Sequence, residues 1–307
     1  MSAPVLAVPE PSPVDAARDA YEHTRRLLFP FRFERWLTLG LVAFLDQCGR
    51  GGVGGAMPGG PSGAGLPSGT DTSGMSDIGS WFGAHLAIVV GIAVAVLLVV
   101  VIAVAVTVWI GSRATFVYID DVASGRAELS RPWAAHRERA NSYFAWRFGL
   151  AAALLASVAL LVVLAVLAVM LIARSGTGGA AVGALLLVFV VPAFLLVLVA
   201  GGLGAMAMRD FVAPLQIHQQ TSCGPAVRLL VSLVRAHPLP FLVYVILKMV
   251  FGVAQGMVLL AGACVTLCCI LIPVVTQTAL QPLFFFERAW SLYLLRQMGY
   301  DLLGGDE

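Results

Sequence analysis

The chain has 307 residues, of which 59% are hydrophobic and only 12% are charged. A soluble domain carries roughly 25% charged residues, so the composition excludes an ordinary soluble globular protein and favours an exterior that faces lipid. The net charge of +2 is less informative than where the charges lie. Nearly all 19 basic residues are Arg, and together with abundant Ala, Gly and Val this bias is typical of a GC-rich bacterial genome.

Residues 1–30 are predicted to form a cytoplasmic tail that contains one amphipathic helix. Ser12 followed by Pro13 is a helix-start signature, and Pro30 ends the segment. Apolar residues recur at helical spacing, at Val14, Ala17, Tyr21, Thr24 and Leu28. Two arrangements remain open, in which the helix lies on the membrane surface or packs on the cytoplasmic segments of the protein.

The first predicted span, residues 33–48, is short. About 16 residues at 1.5 Å per residue extend roughly 24 Å, less than a ~30 Å hydrocarbon core. The segment is either a short crossing with local thinning, a helix with its outer end in a protein-lined recess, or a re-entrant segment. Residues 49–79 then form a Gly-rich stretch whose composition predicts a flexible outer loop.

Two long apolar runs and the basic connection between them determine the orientation of the chain. We predict spans over 81–112 and 143–173, with a fourth span over 180–208. The first of these helices is expected to continue past Arg113 toward Gly125. The connection between the two runs is rich in Arg, and short loops of this kind stay on the cytoplasmic side.

The last apolar region is too long for one helix. Residues 249–286 are 38 positions without a charge, roughly 57 Å as a single helix. We therefore predict two spans, 240–264 and 273–297. An additional surface helix is expected near Ala226–Arg235, where the apolar residues face one way.

These spans define an all-α, polytopic membrane protein, a bundle of about six transmembrane helices with short cytoplasmic amphipathic helices. Residues 31–299 form the membrane domain and residues 300–307 a short C-terminal tail. Of the 19 basic residues, 16 fall on one side, against Arg50 and Arg174 on the other and Lys248 within the apolar region. The asymmetry predicts a multi-pass protein of the bacterial inner membrane with both termini in the cytoplasm.

No pattern of residues indicates catalysis, a metal site or a cofactor. Cys264, Cys268 and Cys269 form a small cluster, for which packing in an apolar interior is preferred over metal or redox chemistry. The pair Asp120-Asp121 is interpreted as a solvated helix end rather than a site for a divalent ion. Nucleotide-binding and hydrolase motifs are absent, and the Arg clusters are explained by topology and anionic lipid, so no nucleic-acid partner is expected.

Ionisable and amide groups at membrane depth are the remaining candidates for a site, because such groups are costly there and are often functional. We predict a candidate intramembrane polar site from Asp46, Lys248, Gln255, Gln277 and Gln281. One hypothesis pairs Lys248 with Asp46 inside the bundle, or otherwise with Gln255 and backbone carbonyls. The alternative is that Lys248 snorkels to the cytoplasmic headgroups.

Several short aromatic motifs are shared with a known group of membrane domains. The chain carries Pro30-Phe31 and Trp36, Arg113 to Phe116, Arg209 to Phe211, and Pro282-Leu-Phe-Phe-Phe followed by Tyr293. It thereby resembles the six-span membrane domain attached to some bacterial glycerophosphodiester phosphodiesterases and its stand-alone relatives. The resemblance covers roughly residues 28–299. It implies an accessory or scaffolding role and supplies no catalytic residues.

The sequence therefore favours a non-enzymatic accessory or organising component of the bacterial inner membrane. Its expected partners are the lipid bilayer and other membrane proteins. The alternative is a transporter of a small solute or lipid, with a polar path through the helix bundle. A water-accessible cavity that reaches Lys248 would favour transport, and a packed interior would favour the accessory role.

Overall fold

The computed structural model describes residues 10–48, 86–174, 176–265 and 273–303. Within these ranges all regular structure is helical, as predicted. The predicted Gly-rich loop 49–79, Cys268 and Cys269 lie outside the described residues. In chain order the helices are α1 (Pro13–Leu28), α2 (Phe33–Cys48), α3 (Leu86–Ser124), α4 (Ser130–Ala135), α5 (Arg137–Arg174), α6 (Thr177–Ala207), α7 (Ala213–Gln219), α8 (Cys223–Ala236), α9 (Pro238–Val265), α10 (Pro273–Ala279) and α11 (Gln281–Gln297).

Four helical segments are long and apolar enough to cross a membrane. They are Val90–Ser124, Arg137–Arg174, Gly178–Gln219 and Pro238–Gly262, and no more than 11% of the most apolar window of each is buried within the protein. A helix that is apolar on all sides and unburied requires an apolar solvent. The fold is therefore that of a helical membrane protein.

The remaining two predicted spans have a different form. The span predicted over 33–48 is α2, a single helix of 16 residues. The span predicted over 273–297 is divided at Leu280 into α10, of seven residues, and α11, of 17 residues. Four spans are therefore supported by length and composition among the described residues, and the count of six stays a prediction.

The core of the protein lies around α11. Both faces of this helix are buried, with Phe285, Ala289, Leu294 and Leu295 fully enclosed. Helix α1 packs along it in the opposite direction, since Trp290 Nε1 donates to the Pro13 carbonyl oxygen at 2.8 Å and the Ser12 N–H donates to Gln297 Oε1 at 2.7 Å. The apolar outer halves of the long helices extend away from this core.

Helix α1 packs on the rest of the protein, in agreement with the second of its two predicted arrangements. Ser12 caps it by accepting a hydrogen bond from the Asp15 N–H at 3.3 Å, which confirms the predicted start. The buried stripe is Pro13, Ala16, Ala20, Thr24 and Leu28. The predicted apolar face was partly wrong, because Val14 and Tyr21 are 60% exposed. The small side chains of Ala16 and Ala20 permit close contact with α11, which the hydrophobicity of single residues does not reveal.

Helix α3 continues past Arg113 to Ser124, as predicted, and stops at Gly125. This glycine has φ = +67°, a conformation that favours glycine after a helix C-terminus. A Cβ atom there would lie 2.9 Å from Leu27 Cδ2, so the end of α3 is also in close contact with α1. The predicted surface helix near Ala226–Arg235 is confirmed as α8, which buries Cys223, Ala226 and Leu230.

Candidate functional site

Six charged side chains meet inside the protein where α2, α9, α11 and the π-helical turn that follows α6 (Met208–Val212) converge. We call this group the charged cluster, and it consists of Asp46, Arg209, Asp210, Lys248, Glu287 and Arg288. Asp46, Asp210 and Arg288 are each 1% exposed, and the side chain of Lys248 is 10% exposed. The cluster is therefore almost completely removed from solvent.

Asp46 at the end of α2 accepts hydrogen bonds from two guanidinium groups. Its Oδ2 lies 3.1 Å from Arg209 Nη2 and 3.2 Å from Arg288 Nη2. The other oxygen, Oδ1, accepts from the Thr115 hydroxyl of α3 at 2.5 Å. Both carboxylate oxygens are thus occupied, and the contacts join three helices and the segment that follows α6.

Lys248 of α9 forms the second half of the charged cluster. Its Nζ lies 2.6 Å from Asp210 Oδ2 and 3.2 Å from Glu287 Oε1. The ammonium also donates to the Tyr244 hydroxyl at 3.2 Å, and that hydroxyl donates to Asp210 Oδ2 at 3.0 Å. The ammonium therefore has three oxygen acceptors, as many as it has protons to donate.

Arg209 connects the two halves of the cluster. Its guanidinium contacts Asp46 on one side, and its Nη1 donates to Glu287 Oε1 at 3.0 Å on the other. Arg288 supports this arrangement by donating from Nη1 to the Arg209 carbonyl oxygen at 2.7 Å. Three carboxylates and three cations give a formal charge of zero. A buried ionic group is tolerated when its charges are balanced and hydrogen-bonded. The charges balance here, and among the guanidinium nitrogens of the cluster Arg288 Nε is buried without a hydrogen-bond partner in the described part of the chain.

A π-helical turn, Met208–Val212, places Arg209 and Asp210 in the cluster together. In an α-helix, consecutive side chains point about 100° apart and face different neighbours. All five residues of the π turn are buried, and Arg209 and Asp210 both reach the cluster. Such turns are rare and are frequent at functional sites.

The predicted polar residues are brought together only in part. Asp46 and Lys248 belong to the charged cluster, and two of the predicted amides lie beside it. Gln277 Nε2 donates to Gln47 Oε1 at 2.6 Å, next to Asp46 in the chain. Gln281 Nε2 donates to the Tyr118 hydroxyl at 3.2 Å. Gln255 lies about two turns beyond Lys248 on α9, and its Nε2 has no hydrogen-bond partner among the described residues.

The predicted pair between Lys248 and Asp46 is wrong. Lys248 contacts Asp210 and Glu287, whereas Asp46 contacts Arg209 and Arg288. Snorkelling does not describe Lys248 either, since the ammonium is buried among acidic partners. Arg209, Asp210, Glu287 and Arg288 were not among the residues predicted for the polar site. One feature of the sequence could have indicated two members of the cluster. Lys248 and Glu287 are the charged residues immediately before and after the apolar run 249–286.

Other residues singled out from the sequence lie outside the charged cluster. Asp121 was interpreted as part of a solvated helix end, and this is wrong, because it is 1% exposed and its Oδ1 accepts from the Glu128 N–H at 3.1 Å. Asp120 is more open and lies 3.7 Å from His136 Nε2. Cys264 is exposed on α9. The described residues contain no group of three or more His, Cys, Asp or Glu side chains that could hold a metal ion.

The surroundings of Asp46, Asp210 and Cys223 limit the reactivity of these three groups. Each oxygen of Asp46 and Asp210 has a cationic or hydroxyl partner, so neither carboxylate is free to act as a base. The buried thiol of Cys223 lies on α8, and burial raises its pKa to about 12. A thiol with that pKa is protonated at neutral pH and is a poor nucleophile.

The fold and the charged cluster together define a helical integral membrane protein whose core contains a buried, charge-balanced ionic network. The chain belongs to a family of unknown function, DUF7544, which it matches over residues 11–299. No curated protein and no solved structure matches the chain.

Proposed function

We propose that the protein is a non-enzymatic accessory or organising component of the bacterial inner membrane. The observation that supports this proposal is the closed charged cluster, in which three carboxylates and three cations neutralise one another within the packed core. A site that binds or transforms a substrate needs a group left open for it. Here each of the six charged groups has at least one oppositely charged partner within the cluster, and these contacts hold α2, α9 and α11 around the π turn.

The surfaces left for partners are the outer faces of the long helices. On α6, Leu185, Val188, Phe189 and Leu196 are 59–68% exposed and lie along one side of the helix. Only lipid or another membrane protein can cover such a surface. An accessory role also agrees with the resemblance to membrane domains that accompany phosphodiesterases.

Co-purification from native membranes tests the accessory role. We expect an integral membrane protein to accompany the tagged chain in constant ratio after mild solubilisation. The double variant Phe189→Ala/Leu196→Ala should lose it, while Leu160→Ala on the separate helix α5 should keep it. A chain that purifies alone, or a partner retained equally by both variants, would contradict the proposal.

Transport of a small polar solute is the second candidate, because polar groups extend from the charged cluster. The amides Gln47 and Gln277 are hydrogen-bonded to each other beside Asp46. Gln281 contacts Tyr118, and the Arg288 guanidinium lies 5.8 Å from the centre of the Tyr118 ring. Polar groups therefore continue from the cluster at two places, beside Asp46 and beside Arg288. Solute flux into proteoliposomes that is lost in Gln277→Leu, with unchanged thermal stability, would favour transport over the accessory role.

A further inference from the structure

A groove of about 950 Å³ lies between α1, α9 and α11, on the surface of the core. Its volume is near the upper end of the roughly 300–1,000 Å³ typical of small-molecule sites. Apolar and aromatic side chains form most of its lining, including Tyr21, Phe29, Phe251, Leu283 and Phe286. The rings of Phe251 and Phe286 are in contact, with centroids 5.3 Å apart.

Arg25 is the one charged side chain among the described residues that line this groove. It is exposed, and its guanidinium has no hydrogen bond or ion pair within the described part of the chain. The preceding turn of α1 contains Glu22, which lies 3.9 Å from Arg18, and no ion pair joins it to Arg25 in the described part of the chain. The groove therefore combines an apolar floor with an unneutralised cation at its edge.

The groove is continuous with the membrane-facing surface of α9. Beyond Phe251, Val258 lies two turns further along the same side of α9 and is 47% exposed in the apolar outer half of that helix. On the other side, Phe29, Phe31 and Phe33 are more than half exposed where α1 leads into α2. Exposed aromatic rings are typical of the headgroup layer. One end of the groove is thus suited to hydrocarbon and the other to the interface.

We propose that this groove is a binding site for one anionic phospholipid from the adjacent leaflet. Arg25 donates to the headgroup phosphate, and an acyl chain lies against Phe251, Leu283 and Phe286 and continues along α9. An anionic lipid is favoured over a zwitterionic one because no acidic group in the groove lining balances Arg25. The site is separate from the charged cluster, and the inference does not depend on the proposed accessory role.

Native mass spectrometry of the full chain in detergent tests the proposal. The protein is mixed with equal amounts of phosphatidylglycerol and phosphatidylcholine of the same acyl composition. We expect one phosphatidylglycerol to be retained in preference. Arg25→Gln should reduce that preference about tenfold, the effect of losing one charge-assisted hydrogen bond, and Arg25→Lys should keep most of it.

Arg26→Gln is the matched control, because it removes the same charge from the next residue of α1, which does not line the groove. We expect it to retain the preference for phosphatidylglycerol. An equal loss in Arg25→Gln and Arg26→Gln would show general surface attraction and overturn the proposal. So would the absence of any preference in the unmodified protein.

Two further measurements test the acyl-chain part and the source of the phosphate. Leu283→Trp places a larger ring in the groove and should lower the retention of both lipids, with Arg25→Gln serving as the independent variant if this one does not fold. Inorganic phosphate at millimolar concentration should leave the bound phosphatidylglycerol in place. Displacement by inorganic phosphate, or full lipid retention in a folded Leu283→Trp variant, would overturn the assignment to a phospholipid.

Discussion

Replacing Asp46 by Asn removes the acid that neutralises two guanidinium groups in the charged cluster. Oδ2 of this residue lies 3.1 Å from Arg209 Nη2 and 3.2 Å from Arg288 Nη2. At an effective dielectric constant near 20, each contact is worth about 5 kcal/mol of gross Coulomb energy. Most of this gross energy offsets the desolvation of the same groups, whereas the variant leaves a net positive charge in the core. We therefore expect Asp46→Asn to lower the free energy of unfolding by about 3–5 kcal/mol.

Reversible unfolding in mixed micelles, followed by circular dichroism, measures this loss. Asp120→Asn is the control, because it makes the same chemical change at a carboxylate that is 40% exposed and 3.7 Å from its His136 partner. A partly exposed pair contributes at most about 1 kcal/mol, so the control should remain close to the unmodified protein.

A second substitution that restores neutrality separates electrostatics from packing. Arg288→Met removes one of the two cations that face Asp46, and the side chain of Arg288 is fully buried. The double variant Asp46→Asn/Arg288→Met should be less destabilised than the sum of the two single variants, by about 0.5–3 kcal/mol. Additive effects, or a loss for Asp46→Asn no larger than that of Asp120→Asn, would refute a coupled and charge-balanced cluster.

Four other outcomes are expected. Lys248→Met should cost about 3–5 kcal/mol of the free energy of unfolding, and in double-mutant cycles Lys248 should couple more strongly to Asp210 than to Asp46. Gly40→Ala should destabilise the protein by about 1–3 kcal/mol, because the new Cβ would lie 2.4 Å from Thr278 Oγ1 and 3.0 Å from Thr278 Cα. Gly149→Ala is the control and should not destabilise the protein, because a Cβ there would have no atom within 4 Å. Burial lowers the pKa of His23 from its usual 6.5, so His23 binds a proton more readily in the unfolded chain than in the folded one. The free energy of unfolding should therefore fall as the pH drops below about 6.5, and His23→Phe should make it less dependent on pH. A periplasm-active reporter at the C-terminus should give no signal, because the Arg asymmetry predicts a cytoplasmic C-terminus. A strong signal would contradict the predicted orientation.

Local features of the chain were readable from the sequence. The long charge-free runs predicted helices that need an apolar solvent, and four segments of the structure have that character. The start of α1 at Ser12 and Pro13 and the end of α3 at Gly125 follow from capping chemistry, which involves only neighbouring residues. Hydropathy and capping depend on a short stretch of chain, so they can be predicted without knowing the tertiary structure.

The partners within the charged cluster were decided by tertiary structure alone. The sequence identified Asp46 and Lys248 as costly charges at membrane depth, and it left open whether they pair with each other or whether Lys248 snorkels to the headgroups. In the fold, Asp46 contacts residues 163 and 242 positions away, Arg209 and Arg288. Their positions depend on a π-helical turn and on the break at Leu280, neither of which has a hydropathy signal. A buried charge must find a partner, but which one it meets is set by how the helices pack.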